Sequence, residues 1–449
     1  GTSWGDAYTD LQTALANATS GDEIWVAEGT YYPTTGTDRN ISFTLKDGVA
    51  VYGGFAATET LRTERDWTAH VTVLSGNLGD PDNVDDNSEH VVRGSATTSS
   101  TVLDGFTISD GKAYNPSKAG GGIFLSPGGS PTLANLIIQD NVAGYDGGGL
   151  YNNGGSPSLT NVAFDNNQAF LYDGGGMFTA NGNPTLENVT FTANDANGYG
   201  GGLYNDGGDP TLTNVTFQSN LVATGGGGGM YSNGGNPSLD TVTFDSNTAD
   251  LGGGLGLTGG GPSITNASFV GNEATDGSGG GMSVTLSDFT LADAVFRNNT
   301  AASDGGGLLV NMSNVPVLVN VTLRSNTAAN GGGGLGNVNS STRLVNVILT
   351  GNEAANGGGL YNYGGSPTLV NTTFSGNSAT NAGGGIYNSK QSGSVINPLQ
   401  LSNSIVWGNT APTGLQIHTV MVDEGGEWDE MPMPTIRYSD IEDSGGSGA

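Results

Sequence analysis

One phrase, repeated eleven times, limits what this chain can fold into more than any other feature. Its clearest copy occupies residues 200–220, GGGLYNDGGDPTLTNVTFQSN. The typical copy has a glycine run, an aliphatic residue, a Pro-Thr/Ser-Leu step, an asparagine, and an apolar pair closing on Phe-x-x-Asn. The aliphatic residues after the glycines are Ile123, Leu150, Met177, Leu203, Met230, Leu255, Met282, Leu308, Leu335, Leu360 and Ile386, at intervals of 27, 27, 26, 27, 25, 27, 26, 27, 25 and 26 residues. So regular a period selects an architecture of stacked units, each too small to bury its own apolar face.

The pattern inside the phrase decides between a leucine-rich horseshoe and a β-solenoid. Val215-Thr216-Phe217 alternates with period two, as a strand does. Residues 120–390 contain no glycine-free window with apolar residues at helical spacing. Leu203, Leu212 and the Val215/Phe217 pair predict three short strands per coil, separated by Gly, Asn and Pro. The fold class expected is therefore all-β, a three-sided parallel β-helix of about 26 residues per coil. Its hand, right-handed, follows from general experience of such folds and not from the spacing.

Two asparagine columns agree with this. The first comprises Asn135, Asn161, Asn188, Asn214, Asn266, Asn320, Asn346, Asn371 and Asn403, interrupted by Thr241 and Asp293. The second runs Asn141, Asn167, Asn194, Asn220, Asn247, Asn272, Asn299, Asn326, Asn352, Asn377 and Asn409. Asn tolerates a left-handed backbone at a corner, and its amide both donates and accepts, so equivalent residues one coil apart can form ladders. Core columns are expected from Leu133 to Leu401 and from the phenylalanines Phe164, Phe191, Phe217, Phe244, Phe269, Phe296 and Phe374.

The repeat divides the chain into four regions. Residues 1–30 predict a cap, with Leu11, Ala14, Leu15 and Ala18 at helical spacing behind Thr9-Asp10 and a first strand at Glu23 to Ala27. Residues 31–118 predict irregular first coils with an excursion carrying Arg62, Arg65 and Trp67. Residues 119–390 are the regular repeat. Residues 391–449 predict looser coils and an acidic excursion at 423–430, ending before a C-terminal cap or anchor. Such an end would allow head-to-tail pairing with another copy.

The net charge is 12 − 42 = −30, and no Lys or Arg occurs between Lys118 and Arg297. Nucleic-acid binding needs cations against phosphate, so that role is excluded, as is attraction to an anionic membrane surface. No apolar run reaches membrane-spanning length, and there are no cysteines to form disulfides. The densest acidic loop carries Asp80, Asp82, Asp85 and Asp86, which are Ca²⁺ candidates by their oxygen ligands, without EF-hand spacing. No cofactor is required by the pattern.

One outward feature is not demanded by folding. The residue after each inward aliphatic is aromatic at Phe124, Tyr151, Phe178, Tyr204 and Tyr231, and again at Tyr361 and Tyr387. These predict an exposed apolar stripe suited to a glycan, a peptide or a neighbouring copy. The competing account is mutual stacking that stabilises the sheet.

The N-terminal segments Ser3-Trp4-Gly5-Asp6-Ala7, Asp22 to Tyr31, Val51-Tyr52-Gly53-Gly54-Phe55 and Leu103 to Ile108 resemble bacterial pectate-lyase-like β-helix surface proteins of the choice-of-anchor type. The GGG-aliphatic and Phe-x-x-Asn motifs resemble the repeats of polymorphic outer-membrane-protein adhesins, with Gly-Gly-Gly where that family more often has Gly-Gly-Ala. The resemblance implies a secreted or surface-anchored, adhesive or structural protein, with no catalytic residues to carry over. In the resembled proteins Tyr438-Ser439-Asp440-Ile441 would be followed by more coil and an anchor.

The same fold class hosts polysaccharide lyases and hydrolases, which form the alternative reading. Lyase chemistry on uronates needs a basic proton acceptor, which the central repeats lack. Arg297, Arg324 and Arg343 suggest a row in later coils, at intervals of 27 and 19 residues. Asp85-Asp86 is the one adjacent Asp pair for two-carboxylate hydrolysis. His70, His90 and His418 all lie outside the regular repeat. The expected function is a non-catalytic extracellular structural or adhesive protein, self-associating or glycan-binding.

Overall fold

The computed structural model describes residues 2–80, 83–114, 118–391, 398–422 and 433–442. By their internal contacts they form two compact units, Gly1–Ala223 and Thr224–Ala449.

In the first unit, one coil runs Met177–Ala180, Thr185–Thr192 and Asp195–Ala196. Each segment pairs in parallel with its equivalent in the next coil: Met177 with Leu203, Leu186 with Leu212, Ala196 with Val222. In the second unit the equivalent coil runs Leu308–Asn311, Val317–Val319 with Thr322–Arg324, and Thr327–Ala328, again all parallel. The three-sided reading holds, but the sides differ from those expected. The second and third sequence runs belong to one hydrogen-bonded long sheet, bent at the first asparagine column. The third side is a short sheet of two-residue strands such as Gln168–Ala169, too brief to show period two.

The two asparagine columns do separate jobs. The first is conformational: Asn135, Asn161, Asn188 and Asn214 have φ of 50° to 54°, and Thr241 and Asp293 take the same left-handed backbone at 58° and 53°. Its exposed amides donate back to the preceding coil, as Asn188 Nδ2 does to Asn161 Oδ1 at 3.2 Å. The second column is fully buried and donates forward. In the first unit Asn141, Asn167 and Asn194 each bond to the next Asn Oδ1 at 3.0 Å. In the second unit the chain runs from Asn247 through Asn272, Asn299, Asn326, Asn352 and Asn377 to Asn409. Each amide also donates to a core carbonyl, as Asn326 does to Phe296 O at 3.1 Å.

Around these ladders the side chains stack by type. Phe164, Phe191 and Phe217 lie face to face at 4.7 and 4.9 Å, and Phe244, Phe269 and Phe296 at 4.8 and 4.3 Å. Leu159, Leu186, Leu291 and Leu318 are wholly buried. Each such side chain contributes about 1.5–3 kcal/mol. The triple glycine has three distinct causes, seen at residues 174–176. Gly174 has φ +69°; a Cβ on Gly175 would lie 2.4 Å from Asp195 O; one on Gly176 would lie 2.6 Å from Gly202 O and 2.9 Å from the Phe191 ring.

At the N-terminus, the helix Leu11–Asn17 is capped by the Asp10 carboxylate, which accepts from the Gln12 and Thr13 N–H groups, and it buries Leu11, Ala14 and Leu15. The expected excursion lies over the first coils: Arg65 pairs with Asp104 at 2.6 Å and sits over the Tyr52 and Trp67 rings.

Removing a buried amide should cost far more than removing an exposed one. Asn326→Ala leaves the Asn299 N–H without its acceptor and removes the side-chain bond to the Phe296 carbonyl, and it should lower stability by about 3–5 kcal/mol in denaturant unfolding. Asn320→Gly preserves the left-handed corner and should stay within about 1 kcal/mol of wild type.

Candidate functional site

The aromatic stripe forms, but its faces are not open. Phe124, Tyr151, Phe178 and Tyr204 stack at 5.4, 5.2 and 5.3 Å, with interplanar angles of 10° to 12°. Phe178 and Tyr204 are each only 8% exposed; Phe124 and Tyr151 are half-buried. His90 closes on the Phe124 ring at 4.7 Å, and Arg93 lies over it at 5.3 Å. His90 is itself buried, with Nδ1 2.7 Å from Gly120 O, and burial lowers its pKa to about 4, so it is neutral at pH 7. In the second unit Tyr231 is half-buried and its hydroxyl meets Thr258 Oγ1 at 2.7 Å. Tyr361, Tyr387 and His418 stack there at 5.4 Å, and burial raises the Tyr361 pKa to about 12. The expectation of an exposed stripe is thus corrected: stacked rings cover one another's faces, leaving edges outward.

The described carboxylates of the acidic loop are engaged within the protein. Asp85 is ion-paired with Lys112 at 2.7 Å, which holds its carboxyl below the usual range. Asp86 Oδ2 accepts from the Asp80 N–H at 3.0 Å, while its Oδ1 is buried without a partner. Asp82 lies outside the described residues. Among the described residues no three His, Cys, Asp or Glu side chains gather in a metal-binding group. The arginine row is also revised. Arg297 and Arg324 are direct partners on adjacent strands, but Arg343 pairs with Val317, at the other end of the strand pair.

A group of exposed aromatics outside the stripe lies in the turns from the short sheet to the glycine run in the first unit. Tyr114, Phe170 and Tyr172 are 48%, 48% and 44% exposed, with Tyr145, Leu171 and Tyr199 also open. Tyr145 and Tyr172 approach at 4.2 Å, and Tyr114 reaches Phe170 at 5.8 Å. The signal was present in the sequence as aromatics just before Asp-Gly-Gly-Gly, but it recurs in too few coils to stand out against the repeat.

Two carboxylates sit behind these rings. Asp146 accepts from the Asp173 N–H at 3.1 Å, and Asp173 from the Tyr199 N–H at 2.7 Å. Burial raises the Asp146 pKa to about 7, with the Asp173 and Asp206 carboxylates adding repulsion; burial and Asp206 raise Asp173 to about 6. The nearest lysines are engaged, Lys112 with Asp85 and Lys118 with Glu89. A separate shallow cavity of about 240 Å³ is lined by Asp140, Val142, Asn166, Asn167, Gln168 and Asp195.

The right handed beta helix region family matches residues 92–274. This chain is a right-handed parallel β-helix. Residues 371–389 of the β-helix also match the Chlamydia polymorphic membrane protein repeat. No curated protein matches it. Among solved structures it is similar to the A-modules of two Azotobacter vinelandii mannuronan C-5 epimerases. The AlgE4 module is 13% identical over 96% of this chain and 97% of that one, with a TM-score of 0.37. The AlgE6 module is 13% identical over 97% and 96%, with a TM-score of 0.29. At these values no activity is carried over to the β-helix. No helix among its described residues is long and apolar enough to cross a membrane.

The raised carboxyls give a signed pH dependence. A folded-state pKa above the unfolded value of about 4 stabilises below that value, and the advantage is lost as pH rises through about 6 to 7. Asp146→Asn keeps an acceptor for the Asp173 N–H. It should therefore raise stability by on the order of 2 kcal/mol at pH 8 and change little at pH 4, read from thermal melts at both pH values.

Proposed function

We propose that this β-helix is a non-catalytic extracellular or cell-surface protein that adheres to an uncharged glycan through the aromatic turns of its first unit. The observation that carries this reading is the exposed group Tyr114, Tyr145, Phe170, Tyr172 and Tyr199. Folding does not require large rings in those turns, and exposed aromatic clusters mark interaction surfaces. Rings offer flat apolar faces to a sugar, and the half-buried Asp173 beside them offers carboxylate oxygens to hydroxyl donors. No Lys or Arg occurs from residue 119 to 296, and Lys112, which lies over the Tyr114 ring, is already paired with Asp85. The match to a polymorphic membrane protein repeat supports a surface location.

Retention on immobilised neutral polysaccharides tests this. Replacing Phe170 and Tyr172 together by Ser should weaken retention at least tenfold, about 1.4 kcal/mol, with the thermal midpoint nearly unchanged. Phe178→Leu, inside the buried stack, should lower the midpoint and leave retention intact. Release of reducing ends or unsaturated uronates from a polysaccharide panel would replace this reading with an enzymatic one.

A further inference from the structure

We propose that the outer face of the long sheet in the second unit binds an anionic polysaccharide through Arg297, Arg324 and Arg343. Arg297 and Arg324 occupy the same outward column on adjacent parallel strands, one coil apart, a spacing of about 4.8 Å. Like charges set directly opposite across strands destabilise a sheet. This chain has 42 carboxylates to place, yet among the described residues Arg297, Arg324 and Arg343 take part in none of the ion pairs found. All three arginines are exposed. Of the acidic side chains on this face, Asp293 at the corner accepts from Asn320 Nδ2 at 2.9 Å, and Asp245, two strands before Arg297 in the same column, accepts from Ser246 Oγ at 2.9 Å. The pair is therefore a cost to the fold that an external anion would relieve.

The ground between the charges fixes the kind of anion. Arg343 stands one coil beyond Arg324 and at the opposite end of the strand pair. Between them lie the half-buried Val319 and Val345 and the exposed Ile348. The surface is the outside of the bent sheet, with Asn320 and Asn346 at the corner between the charges, and its strands are paired on both sides, leaving no edge for a peptide strand to join. It suits an extended polymer whose ring faces cover aliphatic side chains and whose anionic groups reach arginines at both ends. The guanidinium fork pairs in the same bidentate way with carboxylate and with sulfate.

Affinity electrophoresis of the full chain through gels containing polygalacturonate, heparin or neutral dextran tests the proposal. Polyanion should retard the protein and dextran should not do so through this face. Retardation by polygalacturonate alone identifies a uronate, and by heparin alone a sulfated glycan. The double substitution R297Q/R324Q should weaken retardation by polyanion at least tenfold. Its thermal midpoint should equal or exceed wild type, because a like-charge pair is removed, and retention on neutral glycan by the first unit should persist. Three results would overturn the inference: no retardation by either polyanion, equal retardation of wild type and variant, or an arginine-dependent dimer in sedimentation without polyanion, which would make a second copy the partner.

Discussion

The structure depends on a buried amide that bonds to its own copy one coil away. In each unit an asparagine side chain accepts from the preceding Asn amide and backbone N–H, donates to the following Asn Oδ1, and donates again to a core carbonyl. A buried polar group is costly only when unpaired. Here pairing is supplied by repetition, so every added coil satisfies the one before it. The phenylalanine and leucine columns follow from the same translation. Stacked rings need equal spacing, and the ladder provides it.

The ladder also explains the chain's composition. With only 35% hydrophobic residues, the core is continuous because each coil places its few apolar side chains inward in register. Glycine is abundant because the run beside the ladder brings backbone against backbone and against the ladder amides, as Gly176 does at Asn194. In the run at residues 174–176 one position needs a left-handed φ and two would clash with neighbouring carbonyls. Outward positions are then largely unconstrained by folding, which is why departures there carry information. A bare aromatic cluster and an unpaired arginine pair are two such departures, on different units and of different chemistry.

Much of the fold could be read from the repeat. Period two at Val215-Thr216-Phe217, the spacing of the aliphatics and the helix signal behind Asp10 all correspond to structure. The short sheet was invisible because a two-residue strand such as Asp195–Ala196 has no period. The roles of the asparagine columns were merged because both are compatible with a corner. Only backbone geometry separates the left-handed, exposed Asn161 from the buried, laddered Asn167. The site was less legible. Alternation places Phe178 and Tyr204 on an outward face, but it does not report that stacked neighbours cover them. Arg343 falls out of the row because 19 residues is not a coil.

The central claim, that the buried amide ladder holds each unit together, is tested most directly by native-state hydrogen exchange. The backbone amides of Asn167 and Asn194 in the first unit, and of Asn299 and Asn326 in the second, each donate to a ladder oxygen. If the account is right, they belong to the slowest-exchanging class of their unit and open only with its global unfolding. Exchange at the rates of turn or terminal amides, while the unit stays folded, would contradict it.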